Sequence, residues 1–310
     1  MIGCGNIGYR HLQSLLNSNL FLKIVVIDKS NLRLNELANE IKKKSFKNKE
    51  ISFSNNLSIK NKKFDLVICA TTSYKRSYLL KKLLLKFKFS KILIEKLAFQ
   101  NLNDFKKILI LFNKNKINCW VNCSRREQTI YKIIKRKNMN VDKLSIEVTG
   151  NKWNLASNSI HFFDLFYFFN KNFSTFNEQS NFLKKIPSKH HNFLELTGKL
   201  KLTNKQNFIY LNDQKKNKDI IVKIKTSKYK YYINETKQFV RIYSKNKIFA
   251  KKIKILKQSI LTKKIVKKII NNEQVNLPTL SESYLPHKLV YTSFKKNFFK
   301  KDKVFNCPLT

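Results

Sequence analysis

Glycine and proline are scarce: five and four residues among 310, with no proline before Pro187. Such poverty excludes collagen-like and Pro/Gly-rich low-complexity chains. It also removes the usual punctuation marks of turns. Acidic residues number 19 against 64 basic ones. No apolar run reaches the roughly 18 residues of a membrane span; LFLKIVVI and HFFDLFYFF are short or carry a charge. No charged stretch followed by an apolar signal core opens the chain. The five cysteines, Cys4, Cys69, Cys119, Cys123 and Cys307, form no CxxC pair and no Cys/His set with zinc spacing. This usage speaks against a disulfide scaffold and a structural metal, and for a reduced, cytoplasmic setting.

What is present is a globular composition: 42% hydrophobic and 13% aromatic, with 25 phenylalanines. The length suffices for two domains. A net charge of +45 would ordinarily point to nucleic acid or an acidic surface. Only seven of the basic residues are Arg, however, and the lysines spread over the whole chain. Lys, Asn, Ile and Phe have AT-rich codons and Gly and Pro GC-rich ones, so the charge reads as compositional drift on a solvated surface. No specific nucleic-acid partner is expected. In such a chain the surviving rare residues are the informative ones.

KIVVID (Lys23–Asp28) is a short apolar run ending in an acid, the pattern of a buried parallel strand. Further strands are expected at 51–53, 65–70, 91–94 and 117–122, with helices at 9–18, 73–87 and 103–113. Alternation at this spacing predicts a doubly wound parallel sheet over residues 1–125. After about Arg126 the pattern changes. One helix runs to about Lys137, a strand is expected at 143–148, and an apolar helix at 157–169. Strand-like runs follow at 193–202, 207–212, 220–226, 230–233 and 239–243, then a helix over 281–299. Residues 126–310 therefore read as an α+β domain with one antiparallel sheet.

Three of the five glycines crowd into MIGCGNIGYRH. Gly3, Gly5 and Gly8, with Cys4, Asn6 and Ile7 between them, fit G-x-G-x-x-G. The first glycine permits the tight turn, the second lets the backbone approach a pyrophosphate, and the third lets helix and strand pack. Asp28 lies twenty residues after Gly8, where its carboxylate can accept ribose hydroxyls. That favours NAD, although Lys29, Ser30 and Arg33 leave NADP open. The bland alternative is a plain turn and a plain strand end. Only Met1 and Ile2 precede Gly3, whereas a central strand averages about five to six residues. A start further upstream, or a shortened form, is the expectation.

Glu95-Lys96 follows the strand expected at 91–94, at the carboxyl edge beside a nicotinamide crevice. In NKWNLASNSIHFFDLF, Asn154, Asn158, His161 and Asp164 are polar groups in an apolar segment, and their buried atoms need partners from ligand or protein.

GCGNIG, ATTS after the strand at 65–70, IEK after that at 91–94, RR after that at 117–122 and SIHFFD on a later helix together resemble the glucose–fructose oxidoreductase, inositol dehydrogenase and MocA family (Gfo/Idh/MocA). The resemblance runs the whole chain in order. It implies an N-terminal Rossmann domain and a C-terminal domain whose open antiparallel sheet makes oligomer contacts. It also implies transfer of hydride between NAD(P) and a carbinol carbon of a sugar or cyclitol. By position it assigns Lys96 and His161 to catalysis and Arg125 and Arg126 to a pair near the site. Asn154, Ser157, Asn158 and Asp164 become substrate-side neighbours. Ala70, Thr71, Thr72 and Glu95 join Gly3, Gly5, Asn6, Ile7, Gly8, Asp28, Arg33 and Lys96 as cofactor-side residues. Two residues depart from the pattern: Leu97 stands where the family has Pro, and Ser157 where dehydrogenase members often have Asp.

A His titrating near neutrality suits removal of a hydroxyl proton. A neighbouring ammonium stabilises the alkoxide, or itself takes the proton. LPTLSESYLPHKLVYTSF and the ending CPLT resemble family members linked to surface-polysaccharide sugars, implying a sugar or nucleotide-sugar substrate; His287 in that stretch reads as structural. The departures keep open a non-catalytic dinucleotide- or sugar-binding relative, and charge alone keeps open a nucleic-acid binder.

Overall fold

The computed structural model describes residues 1–43, 46–59, 63–138, 143–170, 176–188, 192–245, 247–298 and 306–309. The chain divides into two compact units. The first comprises 1–99, 103–124 and 256–281; the second comprises 100–102, 125–255 and 282–310.

In the first unit, β1 (Leu22–Ile27) pairs in parallel with β2 (Lys49–Ser54), and β3 (Val67–Cys69), β4 (Lys91–Ile94) and β5 (Asn118–Val121) pair in parallel with one another. Between β1 and β3 lies the two-residue stub Met1–Ile2. Ile2 bridges Ile27 on one side and Cys69 on the other. Backbone bonds of 2.8 Å run from Ile2 N to Ile68 O, Ala70 N to Ile2 O, Ile27 N to Met1 O and Gly3 N to Ile27 O. The stub thus joins the two parallel sets, and the glycine turn starts from between them.

The helices of this unit are α1 (Asn6–Leu16), α2 (Asn31–Lys42), α3 (Arg76–Lys86), α4 (Leu102–Lys114) and, far along the chain, α7 (Gln258–Ile270). The sequence reading places neither α2 nor α7. On α7, Leu261, Ile265, Val266 and Ile269 recur at helical spacing and are buried in one cluster with Leu12, Leu15 and Leu16 of α1. Burial of each such side chain is worth about 1.5–3 kcal/mol. That energy holds 256–281 in the first unit, whereas a single boundary at 125/126 leaves this segment with the C-terminal half. The exposed face of α7 is lysine-rich and hides the signal among the other lysines.

The second unit contains α5 (Thr129–Lys137), β6 (Leu144–Thr149), α6 (Leu155–Phe169), strands β7 (Asn177–Pro187), β8 (Leu194–Asn204), β9 (Asn207–Asn212), β10 (Ile221–Thr226), β11 (Lys230–Asn234), β12 (Phe239–Ser244) and β13 (Lys247–Lys252), and α8 (Leu280–Phe298). The strands form one eight-stranded sheet in the order β13-β12-β11-β10-β6-β9-β8-β7. Seven pairings join them; six are antiparallel, and β6–β9 is parallel. The expected antiparallel sheet is therefore mixed at its centre: β6 enters from the helical side of the chain and sits between β10 and β9. Alternate residues Ile146, Val148, Leu200, Leu202, Ile209, Leu211, Val222 and Ile224 are buried, and α6 packs on β6, β8 and β9. On the opposite face Lys223, Lys225 and Arg241 are exposed and Glu147, Lys201 and Tyr210 half-buried. β13 is exposed at every position and β7 at most, so neither shows the alternation that marks a half-buried strand.

Among the described residues no helix is long and apolar enough to cross a membrane.

Candidate functional site

The carboxyl ends of the parallel strands in the first unit bring together the glycine turn, Asp28, Ala70–Thr72, Glu95–Ala98 and Asn122. Gly3 has φ +86°, and a Cβ there would stand 3.0 Å from the carbonyl carbon and oxygen of Ala70. At Gly8 a Cβ would stand 2.1 Å from the carbonyl oxygen of Gly3. Gly8 has no room for a side chain, and at Gly3 the positive φ and the tight contact make one strained. Gly5 differs: a Cβ there meets nothing within 4 Å. Gly5 is the residue that caps α1, and Gly5, Asn6 and Ile7 are exposed. An open backbone at a helix N-terminus offers unpaired N–H groups and a favourable dipole to a phosphate. The three glycines therefore fit a dinucleotide, two by shaping the turn and one by leaving room.

Asp28 closes the far side of this turn. Its Oδ2 accepts from Cys4 N at 2.7 Å and its Oδ1 from Ser30 N at 3.0 Å. Each oxygen keeps a lone pair for a further donor. Ser30 caps α2 by accepting from Arg33 N at 3.2 Å. Arg33 Nε donates to Cys4 O at 3.1 Å, Nη1 pairs with Glu36 at 2.9 Å, and the guanidinium lies 5.6 Å from the Tyr9 ring centre. Cys4, inside the turn, is fully buried. Burial, aided by Asp28, pushes its thiol up to about 12, which rules out a nucleophilic role at neutral pH.

Glu95 is buried at the end of β4. Its Oε1 receives Asn122 Nδ2 at 2.5 Å and lies 2.8 Å from His11 Nε2. His11 Nδ1 lies 2.8 Å from Thr262 Oγ1, and that hydroxyl donates to Gln258 O at 3.1 Å. Burial acts to raise the Glu95 carboxyl. The His11 contact, the Asn122 bond and the charge of Lys96 outweigh it and hold the group below the ordinary carboxylate range. Lys96 follows, half-buried, and Leu97 and Ala98 are buried; the Lys96–Leu97 peptide is cis. Arg76 underlies this turn. Its Nη1 donates to the carbonyls of Glu95 at 2.6 Å, of Ala98 at 2.8 Å and of Leu97, and its Nη2 donates to Thr71 O.

The sequence reading missed His11, Arg76, Asn122 and Thr262. His11 and Arg76 had a usable signal: each is a rare residue type here and adjoins a motif already singled out. Asn122 and Thr262 had none.

In the second unit, α6 begins at Asn154, whose φ is +59°. The buried Glu195 caps this helix, its carboxylate accepting from Ala156 N at 2.8 Å and Ser157 N at 3.1 Å, where a negative charge meets the positive end of the helix dipole. Ser157 Oγ reaches Asn154 O at 3.5 Å and Asn158 Nδ2 donates to Trp153 O at 2.7 Å. His161 lies one turn further on, 9% exposed.

Asp164 is fully buried and clasped by Arg126: Nε donates at 2.7 Å and Nη2 at 2.6 Å. Burial pushes the Asp164 carboxyl up to about 6, against the pull of Arg126. Arg125 grips Glu235 in the same two-pronged way, at 3.1 and 2.9 Å, and stacks 4.4 Å from the Phe162 ring centre. Tyr131 OH donates to the same Glu235 at 2.6 Å. Arg125, Arg126 and Asp164 thus have partners inside the protein. His287 is buried within α8, its Nδ1 2.7 Å from Ser283 O.

Residues 1–123 match the oxidoreductase family with an NAD-binding Rossmann fold, GFO_IDH_MocA. No curated protein sequence matches the chain. Solved structures share its fold along nearly the whole length. An oxidoreductase from Agrobacterium radiobacter in complex with NAD+, L-tartaric acid and magnesium is 12% identical, with TM-score 0.72 over 95% of this chain and 94% of that one. UDP-N-acetylglucosamine 3-dehydrogenase GnnA from Acidithiobacillus ferrooxidans is 11% identical, with TM-score 0.69 over 94% of each chain. A super-repressor mutant of Gal80p from Saccharomyces cerevisiae is 12% identical, with TM-score 0.71 over 96% of this chain and 94% of that one. At these identities the likeness shows the fold. Residues 1–123, with their open Gly5 and with Asp28 directly after β1, thus form a Rossmann domain that matches the NAD-binding domain of the Gfo/Idh/MocA oxidoreductases.

Proposed function

We propose that the protein transfers hydride between a nicotinamide dinucleotide and a carbinol carbon of a sugar, cyclitol or nucleotide sugar. The observation that carries the reading is the contrast within the glycine turn: Gly3 and Gly8 closed, Gly5 open at the head of α1. The bound dinucleotide supplies or accepts the hydride. The backbone N–H groups around Gly5 to Gly8 hold its pyrophosphate, and Asp28 takes the adjacent ribose hydroxyls; the anionic carboxylate favours NAD over a 2′-phosphorylated cofactor. Lys96 stabilises the developing alkoxide with its ammonium, and His161 takes or returns the hydroxyl proton. GnnA, named for a nucleotide sugar, supports that substrate class; the basic surface suits its anionic diphosphate. The family resemblance supports assembly of copies through the outward sheet face that carries Lys223 and Arg241.

Titration with NADH, followed by fluorescence of Trp120 and Trp153 and by calorimetry, tests the cofactor. Absence of binding overturns the assignment. Turnover of a sugar and nucleotide-sugar panel is then compared with Lys96→Ala and His161→Ala, each expected to lose about 10²-fold or more in kcat. Undiminished turnover in both variants removes the catalytic roles. Sedimentation tests the assembly, and a monomer at all concentrations removes it.

A second reading is favoured by Ser157, a hydroxyl that cannot serve as the family's Asp does: dinucleotide binding without turnover. NADH binding with no turnover on any panel member selects it.

A further inference from the structure

Among the described residues Arg76 heads the fully buried side chains by size, 1% exposed. A guanidinium keeps its charge at all accessible pH, so burying it is costly unless its donors are met. Here they are met by backbone oxygens. Carbonyls of Glu95, Leu97 and Ala98 converge on Nη1, Thr71 O accepts from Nη2, and Thr71 Oγ1 lies 3.5 Å from Nε. Two loops are thereby fastened to one planar group: the segment after β3 and the turn after β4. These carbonyls flank Lys96 along the chain, holding the peptide that enters Lys96 and the peptides that follow Leu97 and Ala98. Leu97 supplies no ring to stiffen that turn, and the fork of Arg76 supplies the restraint from below.

We propose that Arg76 is the positioning residue for Lys96. It touches neither cofactor nor substrate; it holds the 95–98 turn at the height of the 71–72 loop. This rests on the reading that Lys96 lies beside the nicotinamide. A lysine at 76 would keep the charge but offer one compact ammonium, which cannot span the same carbonyls.

The test uses the full chain, NADH as ligand and brief acetylation by acetic anhydride, with every lysine read by peptide mass spectrometry. In the wild type, saturating NADH slows acetylation of Lys96 by about tenfold, the scale on which close placement is felt, and leaves Lys86 and Lys114 unchanged. In Arg76→Met and Arg76→Lys, NADH still binds through the glycine turn, but protection of Lys96 is lost. In Arg76→Ala, added guanidinium ion at millimolar concentration restores it. Wild-type Lys96 that NADH does not protect overturns the placement of Lys96 beside the nicotinamide. Protection that survives in both variants overturns the role of Arg76 and leaves that placement standing. Failure of both variants to give a cooperative thermal transition makes Arg76 a residue of stability alone and likewise overturns the proposal.

Discussion

In the first unit the buried guanidinium of Arg76 rests on carbonyl oxygens and the buried carboxylate of Glu95 on His11 and Asn122. In the second unit Arg126 and Arg125 each meet a carboxylate, Asp164 and Glu235, through two parallel bonds. The contrast follows from what each must do. A dinucleotide site is made largely of backbone, so its charged side chains serve best by pinning turns. The second unit must bring a 3-10 turn (Ser124–Glu127), α6 and β11 with its following turn into one core, and paired charges specify that arrangement at the cost of desolvation. Arginines that sequence position offered to a substrate are, in this fold, held by acids.

The largest expected effect breaks one of those pairs. Asp164→Asn leaves the buried Arg126 with only the more distant Glu282 carboxylate at 3.5 Å and costs up to about 3–5 kcal/mol, read as a fall in the denaturant midpoint at unchanged slope. A loss under about 1 kcal/mol would place the pair with surface ion pairs and dissolve the contrast.

Next comes the glycine turn. Gly8→Ala drives a Cβ into Gly3 O and costs about 1–3 kcal/mol or more by overpacking. Gly5→Ala, with nothing within 4 Å, stays within about 1 kcal/mol of wild type yet loses NADH affinity. Thermal melts paired with NADH titration separate the two, and equal melting losses would deny Gly5 its open place.

Glu95→Gln keeps an amide oxygen for His11 and Asn122 but removes the negative charge and turns the other oxygen into a donor, which costs about 1–3 kcal/mol near neutrality. Its pH dependence has a fixed sign. The folded carboxyl lies below its ordinary value of 4.5, so its contribution is present above that pH and is lost as pH falls through the folded value. Wild type therefore loses stability in acid more steeply than Glu95→Gln. Parallel pH profiles from 7 to 3 would remove the carboxylate from the turn's support.

The smallest effect lies on the sheet surface. Lys223 and Glu147 sit opposite each other on β10 and β6 at 3.7 Å, 52% and 36% exposed. In dilute, unassembled protein Lys223→Gln changes stability by about 0.2–1 kcal/mol at most, fading as salt is raised. A salt-independent loss would mean that this face carries more than a solvated pair.

Much of this was legible in the sequence. The glycine spacing, Asp28, the strand cores and the dense apolar helix around His161 are local patterns, set by backbone sterics and by burial on one face. What was not legible has a common cause. β7 and β13 show little or no burial alternation because their side chains are largely exposed, and the apolar stripe of α7 is diluted by its lysines. The partners of Arg76, Arg125 and Arg126 lie 5 to 110 positions away along the chain, and nothing in the order of residues announces them.

The sequence by itself determined the dinucleotide turn: three glycines in a chain that has five mark a positive-φ turn at Gly3, an open backbone at Gly5 and a close approach at Gly8, and that information is local. Only the tertiary structure decided that residues 256–281 return to the first unit, that β6 joins β9 in parallel, and that the rare arginines brace the protein's own turns and acids. Those outcomes depend on which distant surfaces bury one another and which buried charges find a partner, and both are fixed only when the chain closes on itself.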